Sequence, residues 1–66
     1  MRVDVNRADA QALQALPGIG PALAGRILHE RGKRPFTRVE DLLRVPGIGS
    51  RTLERLRPLV RTGPLR

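Results

Sequence analysis

Apolar residues recur at three- and four-residue spacing in short stretches of this chain, each bounded by proline, glycine or a capping residue. The first stretch places Leu13 and Leu16 on one side, after Asn6 or Asp9, either of which can cap a helix. Pro17 and Gly18 stop it, because the residue before proline is biased out of the α region and glycine accepts positive φ. Pro21 then opens a second helix, at the position where its missing N–H costs nothing. Leu23, Ala24, Ile27 and Leu28 make the inward stripe of that helix, Arg26, Glu30 and Arg31 take the other side, and Gly32 ends it. Thr37 and Glu40 have the spacing of a capping box and start a third helix carrying Val39, Leu42 and Leu43. Ser50 caps a fourth, whose Leu53 and Leu56 lead to Pro58, where regular helix should stop. Phe36, the sole aromatic, plugs the connector into the core, and Leu59 and Val60 pack as the chain exits. No run of alternating β-branched residues calls for a strand, so the expected fold class is all-α, with four to five short helices.

The stretches are two copies of one unit. Leu16 to Gly20 reads LPGIG and Val45 to Gly49 reads VPGIG, an offset of 29 residues. In the same register Leu13 meets Leu42, Ile19 meets Ile48, Arg26 meets Arg55 and Ile27 meets Leu56. The expected organisation is a single domain over residues 1–66, with repeat one at about 8–32, a connector at 33–37, repeat two at about 38–60 and a tail at 61–66. The ends, near Met1 and from Thr62 onward, read as frayed.

Composition narrows the partners. The chain carries 13 Lys+Arg against 6 Asp+Glu, a formal charge of +7 on 66 residues, which implies an acidic partner. Leu, Ile, Val and Phe are frequent enough for a packed core, but a domain near this size buries only about 60% of its unfolded surface, so caps and turns matter to its stability. Cysteine is absent, which excludes disulfides and thiolate zinc sites and leaves the redox compartment open. No apolar run approaches the roughly 18 residues of a membrane span, and no membrane contact by this segment is expected.

Two Pro-Gly-Ile-Gly turns between helices offer a particular surface. The glycines put no side chain between the backbone and a ligand, while Ile19 or Ile48 tucks inward as an anchor. Amides of the turn and of the following helix start lack intrahelical partners, which suits a phosphate oxygen and cannot distinguish one base from another. Leu13, LPGIG, Ala24 and Ile27, at these spacings, resemble the helix-hairpin-helix motif, and two joined copies resemble the tandem domain of many DNA-binding and DNA-repair proteins. The runs VDVNRADAQALQALPGIG and PFTRVEDLLRVPGIG are more closely similar to the DNA-binding domain of the ComEA competence family, over roughly residues 3 to 60.

That resemblance implies sequence-independent binding of double-stranded DNA from the minor-groove side, with main-chain donors at Gly18, Gly20 and Ala22 and at Gly47, Gly49 and Arg51. Ile19 and Ile48 anchor the two turns, and Ser50 with Arg51 makes the second the stronger, since Pro21 and Ala22 offer no basic side chain. Some relatives hold a monovalent cation on hairpin carbonyls, here those of Gln14, Leu16 and Ile19 or of Leu43, Val45 and Ile48. The family reading puts the domain outside the cytoplasmic membrane on an anchored bacterial protein that captures DNA for uptake and transformation, alongside other DNA-uptake proteins. Two alternatives stand beside it: a cytoplasmic targeting module of a repair or nuclease protein, and a structural interaction module like a photosystem subunit of the same fold.

Catalysis and cofactors are not expected. There is no Ser-His-Asp grouping, carboxylate cluster or phosphate-loop lysine motif, and His29 has no Cys or second His to share a metal. Glu40 and Asp41 have a sufficient role opposing a helix dipole. Arg26, Arg31, Arg51, Arg55 and Arg57 read as a solvated face from which only Arg51, beside the hairpin, is singled out, with Lys33 and Arg34 extending the positive field from the connector. An isolated Phe36 makes no stacking platform for single strands or RNA.

Overall fold

The computed structural model describes residues 2–63. Its helices are α1 (Ala10–Gln14), α2 (Pro21–Lys33), the 3₁₀ helix η1 (Val39–Arg44), α3 (Ser50–Leu56) and the 3₁₀ turn η2 (Arg57–Leu59). Two short strands, β1 (Val3–Asp4) and β2 (Val60–Arg61), bring the ends of the chain together. The first repeat is α1, turn, α2; the second is η1, turn, α3. Equivalent positions are buried in both: Leu13, Leu16, Ile19, Ala24 and Ile27 in one, Leu42, Val45, Ile48, Leu53 and Leu56 in the other. Phe36 from the connector and Val5 and Val60 from the ends complete one apolar cluster that contains no buried polar residue. Burying each such aliphatic side chain contributes roughly 1.5 to 3 kcal/mol, which a domain this small needs from nearly all of them.

The approach to each hairpin runs on a three-residue period. Leu16 N–H donates to Leu13 O at 3.1 Å and Ile19 N–H to Leu16 O at 3.1 Å; in the second copy Val45 N–H donates to Leu42 O and Ile48 N–H to Val45 O, both at 3.0 Å. Such i to i+3 bonds eclipse every third side chain, which stacks Val39, Leu42 and Val45 on one line. Leu43 falls off that line and is 46% exposed, so the third helix is 3₁₀ and presents Leu42, not Leu43, to the core.

Other sequence expectations are also revised. The capping acid of η1 is Asp41, not Glu40: its Oδ2 accepts the Thr37 amide at 2.9 Å, the Thr37 hydroxyl at 2.8 Å and the Arg38 amide at 3.2 Å. Gly32 does not end α2, which continues to Lys33. Ser50 is the first residue of α3 and the cap is Gly49, because Gly49 already holds the extended conformation (φ −103°, ψ −176°) that a cap requires. Of the two proposed caps for α1, Asp9 is the one, accepting Ala12 N–H at 2.8 Å.

Asn6 acts at long range instead. Its amide nitrogen donates to Phe36 O at 2.8 Å and to Thr62 O at 3.0 Å, and its carbonyl accepts Phe36 N–H at 2.8 Å. Thr62 also donates its hydroxyl to Thr37 O at 3.3 Å, so the tail is tied down at the point where fraying was expected. Residues 64–66 of that tail, and Met1, lie outside the described residues. The strand pair is parallel, Val3 opposite Val60 and Asp4 opposite Arg61, with Val5 N–H donating to Arg61 O at 3.0 Å. Two residues per strand are too few to show an alternating pattern. Pro58 does stop regular helix, in η2, after which Val60 is buried while Leu59 stays 36% exposed.

Candidate functional site

Each hairpin turn is built from Pro-Gly between two apolar residues. Proline at the second position and a positive-φ glycine at the third, closed by the bonds from Ile19 to Leu16 and from Ile48 to Val45, is a type II turn. Gly18 has φ +79° and Gly47 φ +101°, values that L side chains rarely adopt. Ile19 and Ile48, each 4% exposed, point into the core with their own amides engaged, so they anchor the turns. Gly18, Gly20, Ala22, Gly47, Gly49, Ser50 and Arg51 are all exposed.

How the helices start separates the hairpins from the rest of the molecule. α1 and η1 begin away from the turns and are closed by carboxylates, Asp9 and Asp41. α2 and α3 begin at the turns on Gly20 and Gly49, which have no side chain to cap with. Among the described residues the amides of Gly18, Gly20, Ala22, Gly47, Gly49 and Arg51 therefore find no protein acceptor. The resemblance implied donors at these six positions, and the Ser50 amide is likewise without an acceptor.

Charge is distributed the same way. The six acidic residues are each engaged by other groups: Asp4 with Asn6 N–H and Arg7, Asp9 and Asp41 as caps, Glu30 with Lys33 and Arg44, Glu40 and Glu54 with Arg57. Hydrogen bonding by Arg57 holds the Glu40 carboxyl below its ordinary pKa, and bonds from the Thr37 hydroxyl and amide do the same for Asp41. Arg57 is pushed upward by Glu40 at 2.6 Å and Glu54 at 2.8 Å.

The arginines are not one solvated face. Arg57 is held by its two acids, Arg31 donates to Val5 O at 3.1 Å and Ala8 O at 2.6 Å, and Arg26 donates to Pro46 O at 3.1 Å. Arg44 bonds Glu30 and the Arg34 carbonyl and lies 4.7 Å from the centre of the Phe36 ring. Arg51 and Arg55 remain exposed with no partner among the described residues. Lys33 belongs to α2, where it pairs with Glu30 at 3.6 Å, and His29 is exposed.

The two hairpins are neighbours. Ala22, at the start of α2, lines the same shallow depression as Pro46 of the second turn, together with Gly25, Arg26, His29 and Glu30. Sequence reading did not reveal this contact, because Arg26 and Pro46 are 20 residues apart and neither belongs to a local motif. Among the described residues no group of three or more His, Asp or Glu side chains is placed to hold a metal ion. At the carbonyls considered for a monovalent cation, Leu16 O and Val45 O each accept one isoleucine amide and keep a second lone pair.

A family model described as helix-hairpin-helix motif matches residues 1–61. Photosystem II extrinsic protein U of Microcystis aeruginosa is 36% identical over 55 residues, covering 83% of this chain and 38% of that protein. ComE operon protein 1 of Bacillus subtilis is 34% identical over 58 residues, covering 83% of this chain and 27% of that protein. A deoxyribonuclease of a Thioalkalivibrio species is 42% identical over 55 residues, again 83% of this chain but 14% of the enzyme. The chain thus spans well under half the length of each of these curated relatives.

Proposed function

Because the chain belongs to the helix-hairpin-helix family, we propose that it binds double-stranded DNA without sequence preference, each hairpin holding one backbone from the minor-groove side. The observation that carries this reading is that α2 and α3 start at the two turns on glycines with no side-chain cap, leaving the turn amides to an outside acceptor on a molecule of charge +7. Gly18, Gly20 and Ala22 would donate from the first turn; Gly47, Gly49, Ser50 and Arg51 from the second, with Arg51 adding a charged contact. Ile19 and Ile48 would set the turns from behind. The molecule measures 30 × 24 × 21 Å, broad enough to span a minor groove about 6 Å wide. Where a monovalent cation binds the turn carbonyls it would add positive charge beside the same phosphates.

We propose further that this is a binding module and not a catalyst, serving DNA capture for competence beside other uptake proteins, outside the cytoplasmic membrane on an anchored protein. Similarity to ComE operon protein 1 supports that context. Among the described residues no helix is long and apolar enough to cross a membrane. The similarity to photosystem II extrinsic protein U favours a second reading, a structural interaction module. Fluorescence anisotropy with two unrelated duplexes across a salt series separates them. Contacts to about 4 to 6 phosphates give log K against log salt a slope of roughly −4 to −5, equal for both sequences. Arg51→Ala should weaken both duplexes alike and lower the slope by about 1. A flat salt response refutes the DNA reading and leaves the interaction module.

A further inference from the structure

We infer that Arg26, from the first repeat, supplies a phosphate-contacting cation to the second hairpin. This rests on the DNA reading above and names a residue for it outside both turns. Arg26 lies on α2, two residues beyond the buried Ala24, and its Nη1 donates to Pro46 O at 3.1 Å. A Cβ built on Gly47 would sit 2.9 Å from that same Nη1 and 2.8 Å from Leu23 Cδ2. The guanidinium is thus held on the carbonyl edge of the Pro46–Gly47 peptide, within the second turn, while the Gly47 amide points to the opposite edge. An arginine has five N–H groups in a fixed fork, and the Pro46 carbonyl uses only one of the positions available. Arg26 as a whole residue is exposed. No carboxylate competes, since Glu30, which lines the same depression, is engaged by Lys33 and Arg44.

The equivalent arrangement is missing from the first hairpin. Arg55 stands 29 residues after Arg26, yet it makes no bond to Pro17, and a Cβ on Gly18 would meet nothing within 4 Å. The second turn thus gains a cation from the other repeat, while the first has only its amides. A phosphate on the exposed face of the second turn would meet a charge already oriented by its bond to Pro46 O.

Arg26→Ala and Arg26→Lys separate charge from the bond to Pro46, with circular dichroism and thermal melts showing that each folds. Duplex affinity of Arg26→Ala should fall about tenfold for every sequence, and its salt slope should drop by about 1. Arg26→Lys keeps a charge but not the fork, so its slope should stay at the wild-type value while affinity falls less than in the alanine variant. An affinity loss in Arg26→Ala without a change of slope would make the residue a structural brace and overturn the inference, as would unchanged affinity. If Arg26→Ala does not fold, a lowered slope in Arg26→Lys decides against the inference and an unchanged slope with weakened affinity supports it. Failure of the wild-type chain to bind any duplex overturns the DNA reading itself, and is distinguished by requiring no variant.

Discussion

Gly18 and Gly47 occupy the same place in the two repeats and differ in what surrounds them. Both hold positive φ, so alanine at either should cost about 1 to 2 kcal/mol in backbone strain. At Gly18 that is the whole effect, because the space beside it is open, whereas at Gly47 the added methyl group must also displace Leu23 and Arg26. Gly47→Ala should therefore destabilise by roughly 1 kcal/mol more than Gly18→Ala, measured as the difference in urea unfolding free energies. Equal values would mean that the two side chains yield freely. Positive φ at these residues was legible in the sequence, since Pro-Gly dictates a type II turn wherever the fold needs one. Their inequality was not, because it comes from α2 packing across the repeat boundary. Ser50 was misplaced as a cap for a nearer reason: with Gly49 already extended, the helix begins one residue earlier than side-chain preference suggests.

At the scale of elements, the two repeats solve one capping problem in mirrored ways. Asp9 stands at the cap of α1 and binds Ala12 N–H; 29 residues on, the same two positions are Arg38 and Asp41, and the acid reaches back to the Thr37 and Arg38 amides. Spacing from Thr37 pointed to Glu40 for this role, but the cap is Arg38, which makes Asp41 the third helical residue and leaves Glu40 to Arg57. The strand pair and the bridges of Asn6 escaped the sequence because each joins segments distant in the chain without a periodic signal. The carboxyls of Glu40 and Asp41 are lowered in the folded state, so their contribution is present above the unfolded carboxylate range, about pH 4, and is lost as pH falls through the folded values. Thermal midpoints should be level from about pH 7 to 5 and decline below about pH 4. Asp41→Asn should shallow that decline; an acid limb identical to wild type would remove Asp41 from the cause.

For the whole molecule, what matters is that thirteen cations share the surface with only six carboxylates, all six already engaged by neighbours. Additional positive charge such as that of Arg51 and Arg55 has no acidic counterpart, and in a molecule with a 10.4 Å radius of gyration such charges lie within one or two screening lengths of each other at low salt. Folding concentrates that repulsion, so screening should stabilise the native state even though it also weakens the exposed ion pairs, which contribute little each. Raising sodium chloride from about 0.02 M to 0.5 M should lift the thermal midpoint by several degrees, a shift of about 1 kcal/mol in a domain of this size. The same change should weaken duplex binding by orders of magnitude, because there the positive field is the source of the attraction. Melting and anisotropy on one sample across one salt series would test both signs. A midpoint that falls with salt would mean that the ion pairs of Arg57, Arg44 and Glu30 outweigh the repulsion among the remaining cations, and that the excess charge weakens the fold less than it serves binding.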